Sequence, residues 1–142
     1  MTISRIATAL SVIGAAFIIY VGFGFLTDPE AAASGFGMPA WPHGDAADFL
    51  NVKGDRDVVM GLLILALLAF RQRFALGITM LVMALAPVSD MLIVLAHNGS
   101  TAAAFGIHGL TAALVALTGV LLLREPRTAT IAASTVSPAT VR

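Results

Sequence analysis

Four ionisable side chains interrupt apolar stretches of this sequence, and their types and spacing could support chemistry: Arg56, Asp57, Asp90 and His108. An imidazole beside carboxylates in a low-dielectric site is suited to carry a proton or to act as a general base. A guanidinium can bind a carboxylate through two parallel hydrogen bonds, so Arg56 can pair with Asp90. Asp57 can orient His108 or exchange a proton with it. These four residues are therefore the candidate cluster for catalysis or proton exchange.

The cluster is expected at one depth, although its members belong to three different helices. At about 1.5 Å of rise per residue, Arg56 and Asp57 lie roughly 6 Å inward from Val52. Asp90 lies roughly 9 Å from the outer end of its helix, and His108 lies roughly 10 Å from the outer end of the next one. An ionisable residue at the centre of a membrane span costs on the order of 2.5 to 3.5 kcal/mol on insertion scales. Several such residues at one level indicate either a functional site or a required packing contact.

A wider set of residues at this level is predicted to bind a ligand: Lys53, Arg56, Met60, Asp90, Phe105 and His108. In this interpretation the two basic side chains hold an anionic or carbonyl group, and the histidine exchanges a proton with it. Small residues on neighbouring helices would leave room for a lipophilic molecule, such as a quinone, that enters from the bilayer.

The composition indicates that membrane helices position these residues. Of the 142 residues, 58% are hydrophobic and 11% are charged, and the mean hydropathy is +0.95. A soluble domain has about 25% charged residues. The values argue against a disordered chain, a nucleic-acid binder with a basic surface and an ordinary soluble enzyme. The absence of cysteine excludes disulfides, iron–sulfur clusters and thiol catalysis.

Four apolar stretches predict an all-α, polytopic membrane protein with a four-transmembrane-helix bundle. The expected spans are residues 6–26, 52–70, 74–96 and 101–123, which form a domain over residues 1–124. The first apolar run covers about 21 residues, whereas the apolar core of a signal peptide has about 7 to 15, which favours a retained span. Pro87 is expected to kink the third span near Asp90.

The distribution of Lys and Arg predicts the orientation in the cell membrane. Six basic residues fall on one side of the predicted spans: Arg5, Arg71, Arg73, Arg124, Arg127 and Arg142. Only Lys53 and Arg56 fall on the other side, so both termini are predicted to be cytoplasmic. Residues 125–142 are expected to form a flexible cytoplasmic tail.

The first loop contains helix signals of its own. Asp28 is a predicted N-cap, Pro29 suits the first helical position, and Gly35 and Gly37 are expected to end this short interfacial helix. Asp45 is a predicted N-cap for the helix that continues into the second span. The loop is expected to lie over the outer mouth of the bundle, either as a simple connector or as a lid.

Other kinds of site receive little support. A metal site could combine Asp57, Asp90 and His108, with His43 reaching it from the loop, but no paired-histidine spacing is present and Arg56 opposes a cation. No phosphate-binding glycine loop and no Ser-His-Asp order is present. The sequence therefore predicts no metal and identifies no cofactor.

The stretch from Asn51 to Gly61 contains Lys-Gly-Asp-Arg-Asp and is followed at a distance by Pro87-Val-Ser-Asp90 and by His108-Gly109. Together these motifs resemble the small four-helix membrane proteins described as domain of unknown function 4267. The resemblance covers about residues 6–124 and implies a four-span domain with the same polar residues. It implies no reaction. That family is similar in outline to the DoxX-like group, an analogy of fold that hints at quinone-linked chemistry.

Two classes of function follow from these observations. The first is a binding or proton-exchange site for a small lipophilic molecule, with or without catalysis. The second is a structural or accessory membrane subunit, in which the cluster only fixes helix packing. Proton transport ranks lower, because the polar residues stop in the outer third of the spans. The expected partners are the lipid bilayer, a lipophilic small molecule, and a second copy or another membrane protein, but no nucleic acid.

Overall fold

The structure is a computed structural model that describes residues 3–125. Its helices are α1 (Ile3–Thr27), α2 (Pro29–Ser34), a 3-10 helix (Gly44–Phe49), α3 (Leu50–Ala69), α4 (Arg73–Met83), α5 (Leu85–Ala96), α6 (Thr101–Ala103), a π-helical segment (Ala104–Gly109) and α7 (Leu110–Leu123). No β-strand occurs within residues 3–125, so the all-α prediction is confirmed. Of the predicted tail, residues 125–142, only Glu125 is described, and it is held in an ion pair with Arg73; residues 126–142 lie outside the described residues.

Three helical stretches are long and apolar enough to cross a membrane: Ile3–Thr27, Arg73–Ala96 and Thr101–Leu123. Their outward faces carry large apolar side chains, such as Ile13, which is 63% exposed. Such surfaces are typical of helices that face lipid rather than water. The chain is therefore a multi-pass membrane protein. Helix α3 has 20 residues and is more polar, because its first two turns contain four charged side chains.

Glycines bring the helices together in two close pairs. A Cβ atom at Gly22 of α1 would lie 2.7 Å from the Gly54 carbonyl oxygen of α3, and a Cβ atom at Gly54 would lie 2.7 Å from that of Gly22. In the second pair, a Cβ atom at Gly119 of α7 would lie 2.9 Å from the Gly77 carbonyl oxygen of α4. Only glycine permits these approaches, which is the usual role of small residues between membrane helices.

The apolar core lies between these pairs and is separate from the charged cluster. It consists of Ala7, Ala15, Ile64, Leu76, Met80 and Leu122. Among the small residues of α1, Ser11, Ala15 and Gly22 are buried, whereas a Cβ atom at Gly14 would meet nothing within 4 Å.

Two tight turns reverse the chain at opposite ends of the molecule. Arg71 and Asn98 both adopt the left-handed conformation, with φ of 57°. After α3, the Gln72 amide donates to the Leu67 carbonyl at 2.8 Å; after α5, the Gly99 amide donates to the Val94 carbonyl at 2.8 Å. Each turn is a left-handed C-terminal cap that satisfies the last carbonyls of its helix.

The short helix in the first loop forms as predicted. Asp28 is its N-cap and accepts a hydrogen bond from the Ala31 amide at 3.0 Å, and Pro29 occupies the first turn. The predicted N-cap at Asp45 is wrong. The 3-10 helix begins at Gly44, so the capping position is occupied by His43, two residues before Asp45. The Gly44 amide donates instead to the Glu30 carboxylate, at 2.8 Å, so a residue from α2 replaces the local cap.

Pro87 interrupts the third span, as predicted, but the break lies one turn before it. Helix α4 ends at Met83 and α5 begins at Leu85, with Ala84 between them. Proline has no amide hydrogen, so the carbonyl four residues earlier, that of Met83, loses its helical partner. The interruption follows from that loss.

At the far end of the molecule from the first loop, Arg73 joins three helices. Its guanidinium donates to both carboxylate oxygens of Glu125, which follows α7. It also donates to the Thr8 hydroxyl at 3.1 Å and to the Ser4 carbonyl at 3.2 Å, both on α1. This group, called the Arg73 clamp below, satisfies the charge of both partners by direct contacts.

Candidate functional site

A cavity of about 440 Å³ lies beneath the first loop, at the opposite end from the Arg73 clamp. The loop supplies six of its wall residues: Ala33, Phe36, Met38, Ala40, Trp41 and Pro42. The helices supply the others: Phe25, Leu50, Lys53, Asp90 and Ile93. The volume falls within the range of about 300 to 1,000 Å³ that is typical of small-molecule sites. The walls are apolar except for one ammonium and one carboxylate, and these two groups fix the chemistry of the cavity.

Lys53 reaches the cavity from the first turn of α3. Its Nζ donates to Asp57 Oδ2 at 2.6 Å, one helical turn further along, so the two charges form a pair. The ammonium also lies 4.5 Å from the centre of the Phe25 ring and 5.6 Å from that of Phe36. Aromatic faces attract a cation electrostatically. Lys53 is thus held in a partly apolar site by one carboxylate and two rings.

His108 enters the site from the π-helical segment. In that segment the Leu110 amide donates to the Phe105 carbonyl, five residues back, which is the π-helical pattern. The extra residue per turn sets the direction of the buried imidazole, and such segments are frequent at functional sites. Its Nε2 lies 2.8 Å from the Phe36 carbonyl oxygen, which can only accept, so Nε2 donates the hydrogen. The Nδ1 atom is left facing Asp90 Oδ2 at 3.9 Å.

Asp90 is the open group of the site. Its side chain is 33% exposed and lines the cavity from α5, close to the interruption after Met83. Among the described residues it accepts no hydrogen bond, and the 3.9 Å separation from His108 Nδ1 exceeds hydrogen-bond length. Lys53, His108 and Asp57 are the ionisable groups that act on it electrostatically. A carboxylate in these surroundings favours a hydrogen-bond donor.

Phe36 links the loop to the polar residues. Its carbonyl accepts from His108, its ring centre lies 4.5 Å from that of His108, and the same ring faces Lys53. The next residue, Gly37, has a φ of +98°, and its carbonyl accepts from the Ser100 amide at 2.8 Å. The loop is therefore fastened to the α5–α6 turn on one side and to His108 on the other.

Sequence reasoning missed Phe36, Trp41 and Phe25 as site residues. The available signal was the motif Gly35-Phe36-Gly37, an aromatic residue between two glycines in a loop. In the sequence this motif indicates the end of a helix and does not fit a phosphate-binding loop. A loop has no periodicity that shows which way a side chain points, so the contact with His108 had no sequence signature.

The structure brings together four of the predicted residues: Lys53, Asp57, Asp90 and His108. It places Arg56 outside the cavity, with an exposed side chain and no ion pair among the described residues. The buried face of α3 is set by its close contacts with α1, and it carries Gly54, Asp57, Gly61 and Ile64. At about 100° per residue, Arg56 lies about a third of a turn from the centre of that face. The predicted pairing of Arg56 with Asp90 does not form.

Of the predicted ligand set, Lys53 and Asp90 line the cavity, whereas His108 lies 3.9 Å from Asp90 without being a wall residue. The two apolar residues of that set also lie outside the cavity walls. Phe105 is 56% exposed on the outer surface, and Met60 is half-buried on α3. Residues from the loop and from α1 occupy the places that these two were expected to take. Within the described part of the chain, no three His, Cys, Asp or Glu side chains are grouped so that they could hold a metal ion.

A second polar contact fastens the loop to itself above the cavity. The Glu30 carboxylate accepts from His43 Nδ1 at 2.7 Å and from the Gly44 amide at 2.8 Å. These hydrogen bonds lower the pKa of Glu30 below its usual value of 4.5, the His43 bond contributing most. The His43 ring also packs against Trp41, with 5.7 Å between ring centres. We call this contact the Glu30 latch, because it joins α2 to the start of the 3-10 helix.

Comparison with known proteins identifies one family. The family model described as "Domain of unknown function (DUF4267)" matches residues 15–122, and this range includes every residue of the cavity. No curated protein and no solved structure matches the chain. The outline similarity to the DoxX-like group stays a prediction.

Proposed function

We propose that this chain, which belongs to the DUF4267 family of domains of unknown function, binds a small lipophilic molecule in the cavity and exchanges a proton with it through Asp90 and His108. The observation that carries the proposal is the composition of the cavity walls. Nine of the eleven wall residues are apolar, and the two that are not carry opposite charges. Small-molecule sites combine apolar walls with a few polar groups in this way.

The proton-exchange part of the proposal is supported by the state of the imidazole. Because His108 Nε2 donates to the Phe36 carbonyl, a neutral ring has its free lone pair on Nδ1, the atom that faces Asp90. A polar hydrogen on a ligand at Asp90 would lie beside both an acceptor carboxylate and an acceptor nitrogen. The Lys53 ammonium, held by Asp57, would stay near Asp90 as a positive charge and would not take up the proton.

We further propose that α3 is a fourth span and that the cavity lies in the outer third of the bilayer, with both termini cytoplasmic. Supporting this, α3 has twelve uncharged residues from Val58 to Ala69. The described basic residues outside α3 lie at the helix ends that meet the Arg73 clamp, opposite the cavity. Basic residues favour the cytoplasmic side of a membrane protein. A cysteine introduced at Asn98 should then react only with reagents applied from outside the cell.

Co-purification tests the binding function. The protein, purified in mild detergent, should carry a lipophilic compound that mass spectrometry can identify. Asp90→Leu should lose most of that compound, because the substitution removes the open carboxylate from the cavity wall. Asp55→Leu is the matched control: it removes an exposed carboxylate of α3 that lies outside the cavity walls, and it should retain the compound.

The structural alternative has one observation in its favour. The hydrogen bond from His108 to Phe36 and the Lys53–Asp57 pair fasten elements together whether or not a ligand is present. If that is their whole role, the wild type carries no compound, and Asp90→Asn combined with His108→Gln lowers stability without changing any separable activity. A ligand-free wild type that binds no added lipophile would contradict the proposed function.

A further inference from the structure

We propose that the ligand carries a protonated amine as its head group and that Asp90 binds this ammonium. The inference rests on the proposed function, since it specifies the chemical class of molecule that enters the cavity. It reverses the expectation from the sequence, in which Lys53 and Arg56 would hold an anionic or carbonyl group.

The charges around the cavity favour a cation. Lys53 contributes one formal positive charge, and Asp57 and Asp90 contribute two formal negative charges, so these three side chains carry +1 − 2 = −1. Arg56, which would have balanced this sum, is exposed and is not among the wall residues of the cavity. A bound ammonium would bring the site to neutrality, whereas a bound anion would raise its charge to −2 in a low-dielectric region.

The two polar groups in the wall are not equally available to a ligand. The Lys53 ammonium already has Asp57 at 2.6 Å and the rings of Phe25 and Phe36 on its other sides. Asp90 has no donor within hydrogen-bond distance among the described residues, and its carboxylate is open to the cavity. A partly buried carboxylate without a donor is costly, and an ammonium is a strong donor for it.

The remaining walls suit the apolar part of such a ligand. Trp41 lines the cavity, and within residues 3–125 no Lys or Arg side chain lies over its ring, so it can pack against an ammonium or its adjacent methylene groups. Met38, Pro42 and Ile93 add apolar surface for an alkyl or aromatic body. The cavity therefore offers a carboxylate at one side and apolar surface around it.

A titration with three matched probes tests the inference. Trp41 is the single tryptophan of the sequence and lies in the cavity wall, so its fluorescence reports occupancy. The full-length protein in nanodiscs is titrated at pH 7 with decylamine, decanol and decanoate, which share a chain and differ in the head group. We expect decylamine to bind about tenfold or more tightly than decanoate, a difference typical of one charged hydrogen bond.

Variants then assign the preference to Asp90 rather than to the membrane. Asp90→Asn should reduce the ratio of decylamine to decanoate affinity by about tenfold. Asp90→Glu keeps the charge and should largely preserve the ratio. Asp48→Asn is the matched control, because Asp48 is an exposed carboxylate of the 3-10 helix that lies outside the cavity walls.

The outcomes separate this inference from the proposed function. Tighter binding of decanoate than of decylamine by the folded wild type would overturn the inference and leave the binding function standing. An unchanged ratio in a folded Asp90→Asn variant would do the same. If the folded wild type responds to none of the three probes, the proposed binding function itself fails. The wild-type ratio decides the question even if Asp90→Asn does not fold.

Discussion

The two ends of the molecule both hold charged side chains between helices, but they satisfy those charges differently. In the Arg73 clamp, one guanidinium contacts both oxygens of Glu125 and two further oxygens of α1, at Thr8 and Ser4. At the cavity end, Lys53 is paired only within its own helix, and Asp90 accepts no hydrogen bond within the described residues. The protein itself therefore supplies the partners of every charge in the Arg73 clamp. At the cavity end, the Asp90 carboxylate has no hydrogen-bond donor among the described residues.

This difference indicates how charged side chains that only stabilise helix packing can be distinguished, in a small membrane protein, from charged side chains that bind a ligand. A charge retained only for packing is expected to have its partners supplied by the protein, because an unpaired charge is costly in an apolar surrounding. The Arg73 clamp meets that expectation. Asp90 does not, and the unmet hydrogen-bonding capacity coincides with a cavity of about 440 Å³.

The largest difference between the two ends is expected when the Arg73 clamp is removed. Arg73→Met should lower the free energy of unfolding by about 2 kcal/mol, because it leaves the Glu125 carboxylate without its partner. Ligand content should not change. Thermal unfolding in detergent measures the effect, with Arg5→Met, an exposed arginine on α1, as the control. Loss of the ligand without loss of stability would mean that the two ends are not independent.

A smaller effect is expected where the loop is fastened above the cavity. Gly37 has a φ of +98°, and a Cβ atom there would lie 2.5 Å from Ala103 Cβ. Gly37→Ala should therefore cost about 1.5 kcal/mol and loosen the loop. Faster proteolysis between α2 and α3 and a red-shifted Trp41 emission would show the loosening. Gly35→Ala is the matched control, since its φ is −81° and its nearest neighbour lies at 3.7 Å. Equal behaviour of the two variants would contradict this account of the loop.

Loss of the imidazole donor should have a weaker effect on stability. His108→Phe keeps a ring beside Phe36 but leaves the Phe36 carbonyl without its donor, which should lower the free energy of unfolding by about 1 kcal/mol. Proton exchange with a bound ligand should be lost as well, and hydrogen-exchange or pH-jump measurements on the loaded protein can detect that loss. A variant with wild-type stability and exchange would show that His108 has neither role.

The smallest effect is expected from acid, through the Glu30 latch. Hydrogen bonds from His43 and Gly44 lower the pKa of Glu30 in the folded protein. Its stabilising contribution is therefore complete above the usual value of 4.5 and is lost as the pH falls through the lowered pKa. Trp41 emission, recorded from pH 6 downward, should change in the range below 4.5, because Trp41 packs on His43. Glu30→Gln should remove that transition, while Asp48→Asn should keep it.

Much of the fold could be predicted because its signals are local. Continuous apolar runs indicate membrane helices, and Asp28 followed by Pro29 indicates the start of α2. The common depth of Asp57, Asp90 and His108 could also be estimated, since the rise per residue of a helix is constant. Each of these inferences uses residues that are close in sequence or a fixed helical geometry.

The remaining features depend on contacts between distant residues. The glycine contacts between α1 and α3 bury the face of α3 that carries Gly54 and Gly61, and this orientation leaves Arg56 outside the cavity. These contacts therefore determine which basic residue of α3 enters the cavity. Arg73 and Glu125 are 52 positions apart, and Phe36 and His108 are 72 apart. No spacing rule joins such pairs. The π-helical segment around His108 likewise has no composition signal that distinguishes it from an α-helix.

The central claim, that the cavity exists to hold a ligand, is tested most directly by filling it while leaving every charge in place. Ala33 is buried on α2 and faces the cavity, and Ala31 is exposed on the same helix. Ala33→Phe should abolish the co-purifying lipophilic compound, as measured by mass spectrometry, with an unfolding temperature equal to or above that of the wild type. Ala31→Phe should retain the compound. Wild-type ligand content in a folded Ala33→Phe variant would contradict the claim.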